Sequence, residues 1–294
     1  MSGIYYIDYP APDLDLEGPV LTEAGLSLID GKLRPPESLE SRLRSSLQVI
    51  VVTFTRVDTG FLDRFSGLEL LLRHGTGHDN IDLEACQARG IRVMNIVDYC
   101  QAEISSYIHK ELTDFFPAHA SKHKVSIGII GLGRIGRVVR RSLEAHGFRI
   151  TFHTRTPLPQ DSGYRSLASL LESVDVLSLH ASLNESSHHL LNTPEFGRMK
   201  PGMLLMNTAR GSLIHSRALL HAINAGVVRQ AILDVIDPAT PPEVLARLRE
   251  SSAVKYTGHS AWYSPRALWE IRLRLLAAIL AWTGNHQLRE NILA

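Results

Sequence analysis

Val125-Ser-Ile-Gly-Ile-Ile-Gly-Leu-Gly-Arg-Ile-Gly-Arg137 is the stretch whose reading decides the fold. An apolar, β-branched run feeds into Gly131-x-Gly133-x-x-Gly136 and then into a helical pattern, so the order is strand, tight turn, helix. In such a turn the first glycine lets the backbone reverse, the second lets it approach a pyrophosphate, and the third lets the helix pack close to the strand. Amides at the helix start, including those of Arg134 and Ile135, then face the anion. The glycines alone would be a weak signal, but with a strand before them and a helix after them they predict a dinucleotide site. The bland alternative is a glycine-rich turn in any α/β protein.

Outward from the turn, the pattern predicts a helix over 137–146 capped by Gly147 and a second strand over 149–153. Dinucleotide sites commonly place Asp or Glu at the end of that strand, about twenty residues past the glycines, to bind a ribose 2′-hydroxyl. Here the chain reads His153-Thr-Arg-Thr156, with no carboxylate. Arg155, between Thr154 and Thr156, would attract a 2′-phosphate instead, which favours NADP(H) over NAD(H); the plainer reading is a solvated loop residue and an indifferent site. Further strands are expected over 175–180, 203–207, 231–235 and 254–257, with a helix over 216–224 ended by Gly226. Three of these strands run into loops that carry Arg210, Asp234 with Asp237, and His259. In a parallel sheet those ends share the edge of the glycine turn. A cationic fork, a carboxylate and an imidazole facing a nicotinamide can hold a 2-oxo acid, polarise its carbonyl and protonate it as hydride arrives.

The first 110 residues alternate in the same way. Strands are expected over 4–7, 47–53, 68–73 and 91–94, helical segments over 60–65 and 83–89, and a polar, proline-containing stretch with a short helix between the first two strands. The loop Gly75-Thr-Gly-His-Asp79 follows a strand, where open α/β sheets place ligands, although a plain turn reads equally well. Asp98 and Tyr99 also follow a strand and suit either a pocket wall or a surface loop. A helix over 101–116 stops at Pro117. His119 and His123 have the spacing of a helical metal pair, but in a polar linker without a third ligand they read as solvated, and no metal is expected.

The chain has 294 residues, enough for two cores, and a formal net charge of +1, which favours neither nucleic acid nor an acidic membrane surface. Cys86 and Cys100 lie in different predicted elements without CxxC spacing, so a reducing compartment is the default. With no leader-like N-terminus and no apolar run of spanning length, a soluble cytoplasmic protein is expected.

Gly75-Thr-Gly-His-Asp-Asn-Ile-Asp82, Gly131 to Gly136, Met206-Asn-Thr-Ala-Arg-Gly211, Leu233-Asp-Val235 and Thr257-Gly-His259 together resemble the D-isomer-specific 2-hydroxyacid dehydrogenase family. Leu183-Asn-Glu-Ser-Ser-His-His-Leu190 and His259-Ser-Ala-Trp-Tyr-Ser264 are closest in wording to its C-terminal-binding-protein branch, whose members bind NAD(H) and act chiefly as corepressors. The resemblance implies an α/β protein of two domains. One is a flavodoxin-like substrate domain over 1–110 and 265–294, completed by a C-terminal helix near 264–282. The other is a Rossmann-like, doubly wound dinucleotide domain over 111–264. Carried over by position, Arg210 would bind the substrate and His259 would be the acid/base. Amides at Thr76 and Gly77 would hold the substrate carboxylate, while Thr208, Ala209 and Asp234 would lie on the cofactor side. His188 and His189 match the branch wording and read as packing or surface.

Three departures stand out. The family glutamate that supports the histidine has no clear counterpart: without a gap its slot falls on Ala239, and with a loop two residues shorter it falls on Asp237. The link from Phe116 to Val125 is short against the family's arm, which normally wraps a partner subunit, so a homodimer would need another surface. Gly258 replaces a proline before the histidine and should loosen that loop. The reading is a reductase that moves hydride between NADP(H) and the 2-oxo group of a small acid, with NAD(H) as the alternative cofactor. The rival is a nucleotide-binding sensor or corepressor-like protein with little or no turnover.

Overall fold

A computed structural model describes residues 3–116, 125–284 and 291–293. His119, His123 and most of the short link lie outside the described residues. The chain divides into two units, one of Met1–Tyr99 with Ser264–Ala294 and one of Cys100–Tyr263.

In the first unit, strands β1 (Gly3–Tyr6), β2 (Ser27–Asp30), β3 (Leu47–Val52), β4 (Leu70–Arg73) and β5 (Arg92–Asn95) form a parallel sheet in the order 2-1-3-4-5. Helices α1 (Glu17–Glu23), α2 (Ser41–Ser45), α3 (Thr59–Leu62) and α4 (Leu83–Ala88) connect them. This is the flavodoxin-like order. The central strands are apolar throughout because both faces of a parallel sheet are covered. α4 begins where the Asp82 side chain accepts the Ala85 amide at 2.9 Å and ends at left-handed Gly90. β2 was not expected from the sequence. It is an edge strand in which only Ile29 is buried, so Ser-Leu-Ile-Asp shows no periodicity.

The second unit contains α5 (Gln101–Phe115), β6 (Ser126–Ile130), α6 (Arg134–Ala145), β7 (Arg149–His153), α7 (Leu167–Ser173), β8 (Val176–Leu179), α8 (Thr193–Phe196), β9 (Met203–Asn207), α9 (Ser216–Asn224), β10 (Val228–Leu233), α10 (Pro242–Glu250) and β11 (Val254–Tyr256). Its strands are all parallel, in the order 7-6-8-9-10-11. Beyond β7 the next position in the sheet is reduced to one bridge, Phe152 to Tyr164. There the Phe152 amide donates to Gly163 O at 2.9 Å and the Arg165 amide to Phe152 O at 2.8 Å. Leu170, Leu177, Leu205, Leu219 and Leu248 pack the helices of this unit onto its sheet.

α6 starts at Arg134, and the last glycine of the motif lies inside its first turn. A Cβ on Gly136 would stand 2.0 Å from Gly131 O, so only glycine lets α6 approach β6 this closely. Gly136→Ala is expected to lower stability by about 1–3 kcal/mol, read as a shift in the urea midpoint.

The chain then returns to the first unit as α11 (Pro265–Thr283) and β12 (Asn291–Ile292), the latter antiparallel to β5. Ser264 caps α11 by accepting the Ala267 amide at 3.0 Å. Buried Arg272 ties α11 to α1 through Glu17, at 3.0 and 2.7 Å, and to Asp15 at 2.8 Å. Among the described residues no helix is long and apolar enough to cross a membrane.

Candidate active site

In the second unit β6 lies between β7 and β8, and a cleft of about 1070 Å³ opens at the carboxyl ends of these strands. Such a reversal of strand order is where open α/β sheets bind ligands. Gly131 takes φ 96°, and a Cβ there would meet Ala181 N at 2.6 Å, whereas Gly133 faces open space with nothing within 4 Å. Gly133 is also the N-cap of α6, and no side chain caps that helix. A turn that a Cβ at Gly131 or Gly136 would crowd, open at Gly133 and ending in the amides of α6, fits a dinucleotide pyrophosphate.

At the end of β7, Thr154 Oγ1 donates to Thr156 O at 2.7 Å and turns the chain so that Arg155 stands exposed on the cleft. The two carboxylates on this cleft are both held by Arg140, with Nε 2.8 Å from Glu144 Oε1 and Nη1 2.7 Å from Asp161 Oδ2. Arg141 and Arg155, also on the cleft, have no ion pair among the described residues, so this end of the cleft is electropositive. On the far side His180 is half-buried with Nε2 2.9 Å from Ser178 Oγ, and desolvation pushes its pKa down to about 4, so it is a neutral wall.

Arg210, Asp234, Asp237 and His259 follow the neighbouring strands β9, β10 and β11. Fully buried Asn207 ends β9 and shapes the first of these loops: its Oδ1 accepts the Ala209 amide at 3.0 Å and its Nδ2 donates to Arg210 O at 2.8 Å. Thr208 Oγ1, beside it, is buried without a hydrogen-bond partner among the described residues. Gly211 lets this loop press on the next one, since a Cβ there would lie 2.1 Å from Ile236 C.

The loop after β11 hangs on Asp234, which is only 1% exposed. Its carboxylate Oδ1 accepts from Thr257 Oγ1 at 2.6 Å, from the Ser260 amide at 2.8 Å and from the Ala261 amide at 3.0 Å. Its carbonyl accepts the His259 amide at 2.6 Å. His259 is thereby held at φ 62° directly after Gly258 at φ 67°, a left-handed pair that persists because the surrounding bonds fix it. Asp234 is expected on the cofactor side; the structure gives its carboxylate the further task of shaping the histidine loop.

Asp237 requires a correction. The sequence reading placed it behind His259, but both of its oxygens are committed elsewhere. Oδ2 accepts from His189 Nε2 at 3.0 Å, and Oδ1 accepts from Ser212 Oγ at 2.9 Å and from the Ala239 amide at 3.0 Å. Burial alone would push this carboxyl up, but those hydrogen bonds outweigh burial and hold it below the usual carboxylate range. Ala239, the ungapped slot, offers only a methyl group. His189, read from the sequence as packing or surface, thus carries the Asp237 contact. A bond between two distant loops leaves no local signal.

In the first unit, β4 ends at Arg73 and His74 follows it, both buried. The Gly75 amide donates to Arg73 O at 2.9 Å, Thr76 Oγ1 donates to Ile96 O at 3.1 Å, and Asn95 Nδ2 donates to Thr76 O at 2.5 Å. These bonds pin the loop while the amides of Thr76 and Gly77 donate to nothing among the described residues. Burial first, then the Arg73 charge, push the His74 pKa down to about 3, so it is neutral.

Two parallel α/β units, one with a glycine cradle at its strand-order reversal, define a dinucleotide-binding enzyme fold. Residues 103–261 match the family described as D-isomer specific 2-hydroxyacid dehydrogenase, NAD binding domain. The chain belongs to this family of oxidoreductases, and its second unit carries the family's NAD-binding Rossmann fold. It is 35% identical over 194 residues to 4-methyl-2-oxopentanoate reductase A of Aspergillus oryzae, a match covering 58% of this chain and 59% of that protein. Its matches thus span about three-fifths of the length of the curated relatives, 62% and 59%. The crystal structure of the TT0316 protein from Thermus thermophilus is similar at TM-score 0.81 and 28% identity, with 99% of each chain covered. An NADPH-dependent glyoxylate/hydroxypyruvate reductase from Sinorhizobium meliloti, solved with NADP and malonate, shares the fold at TM-score 0.82 and 24% identity, covering 100% of this chain and 97% of that one.

Proposed function

We propose that the protein is an NADP(H)-preferring reductase that converts the 2-oxo group of a small acid to a D-2-hydroxy acid. The observation that carries the cofactor preference is the end of β7, where Arg155 and Arg141 stand without carboxylate partners among the described residues and Arg140 neutralises both acids of the cleft. A nicotinamide cofactor supplies hydride to the oxo carbon when bound. The cradle of Gly131, Gly133 and Gly136 with the amides of Arg134 and Ile135 would take its pyrophosphate, Thr154 to Thr156 its adenosine end, and Thr208, Ala209 and Asp234 its nicotinamide end.

Arg210 grips the carboxylate and the oxo oxygen through its fork, and His259 gives that oxygen a proton. The open amides of Thr76 and Gly77 are the carboxylate contacts we assign to the first unit. The A. oryzae relative and the S. meliloti neighbour are both named for reducing 2-oxo acids, which supports the substrate class. Residues 1–110 with 265–294 then serve the substrate and 111–264 the cofactor, and the short link leaves any homodimer to another surface.

A second reading is favoured by one observation: Asp237, one of the two positions that align with the family glutamate, bonds His189, Ser212 and the Ala239 amide. The rival is a nucleotide-binding protein with little turnover, as the wording of the C-terminal-binding-protein branch also suggests. Side-by-side oxidation of NADPH and NADH over a panel of 2-oxo acids, with direct cofactor binding, separates the two. Arg155→Ala is expected to raise KM for NADPH by about tenfold to a hundredfold, the worth of a charge-assisted contact, and to leave NADH unaffected. Equal use of both cofactors would remove the NADP assignment, and tight binding without turnover would favour the second reading.

A further inference from the structure

The histidine that captured Asp237 does not stand alone. The His188 and His189 rings lie tilted by 36° with centroids 3.8 Å apart, and one donor atom from each lies within 4.8 Å of an Asp237 oxygen and of the other. We propose that His188, His189 and Asp237 form a binding site for a zinc-class divalent transition-metal ion, with the remaining coordination position open to solvent. Two imidazole nitrogens and a carboxylate oxygen are the donor set that borderline ions such as Zn²⁺ and Co²⁺ take.

One edge of the site is already close to what an ion requires, and the His188 donor lies within 4.8 Å of both others. Donors bound at about 2.1 Å around a tetrahedral ion stand roughly 3.4 Å apart. His189 Nε2 and Asp237 Oδ2 are already 3.0 Å apart, so exchanging their proton for an ion moves each atom by only a few tenths of an ångström. The outer layer is in place as well. Ser212 Oγ and the Ala239 amide occupy Oδ1 and so aim Oδ2 at the histidines. The His189 amide donates to Ser212 O at 2.7 Å and holds that residue at φ 50°, a left-handed conformation kept only where neighbours fix it.

His215 packs edge-on against His189 at 4.9 Å. Asp237 is only 7% exposed while His188 is exposed, so the ion would enter from the His188 side. Once bound it would clamp the loop after β8 to the end of β10 and, through Ser212, to the turn that carries Arg210.

The test is a Co²⁺ titration of the untagged, chelator-stripped chain, with His119 and His123 replaced by alanine in every sample so that pair cannot contribute. One Co²⁺ per chain with the intensified visible bands of a four-coordinate ion, displaced by Zn²⁺, is expected. His188→Ala and His189→Ala should each abolish those bands, and Ser212→Ala should weaken binding by about tenfold. His188 is exposed, so its loss does not threaten folding. Unchanged Co²⁺ binding in His188→Ala, or no bound Co²⁺ in the parent, would overturn the proposal. The readout is binding alone, so failure of the reductase reading would leave this result standing.

Discussion

His259→Asn is expected to lower turnover by about a hundredfold to ten-thousandfold, the range for losing a positioned proton donor, while cofactor binding changes little. Asparagine suits this test because His259 sits at φ 62°, and asparagine tolerates the left-handed region better than most residues. The substitution therefore removes the proton without asking the loop to move. Asp234 would still hold the turn through the amides of Ser260 and Ala261. Steady-state rates with each cofactor, and cofactor dissociation constants on the same preparation, decide the matter. Retained turnover would mean that another group donates the proton. Loss of cofactor binding would mean that the loop had collapsed.

Arg210→Ala is expected to cost about a hundredfold to a thousandfold in kcat/KM, the scale for removing a preorganised donor from developing charge, and far less in cofactor affinity. The reason is local. Asn207 holds the Arg210 carbonyl and the Ala209 amide, so the loop keeps its path when the side chain is cut back. Arg210→Lys should recover little, since lysine keeps the charge but loses the planar fork that grips a carboxylate through two bonds. Equal losses in turnover and cofactor affinity would contradict the role proposed for Arg210.

Much of this architecture was legible from the residues because the signals are local. Strands β7 and β9 and helix α9 fall where the sequence reading placed them, since apolar runs there stop at His153, at Asn207 and at the residues before Gly226. Gly131 to Gly136 announced the cradle because each glycine answers a steric demand made within a few residues. What escaped was non-local or weakly patterned. β2 is a short edge with one buried side chain, and α7 and α10 lie between strands where no separate helix was named. Asp237 was misplaced because two of its partners, His189 and Ser212, come from other loops, and only the closed fold brings them to it. Asp234 shows the same limit: no spacing rule reveals that one carboxylate oxygen will gather Thr257, Ser260 and Ala261.

The lone bridge between Phe152 and Tyr164 bears on solubility. β7 is the last strand on its side of the sheet, and an edge of unsatisfied amides and carbonyls is a template on which another chain can add. The segment through Gly163, Tyr164 and Arg165 occupies both backbone groups of Phe152, toward the carboxyl end of that edge. At that point it occupies the groups an added strand would need, while remaining too short to expose a new edge of its own, which works against pairing with another chain there without extending the sheet.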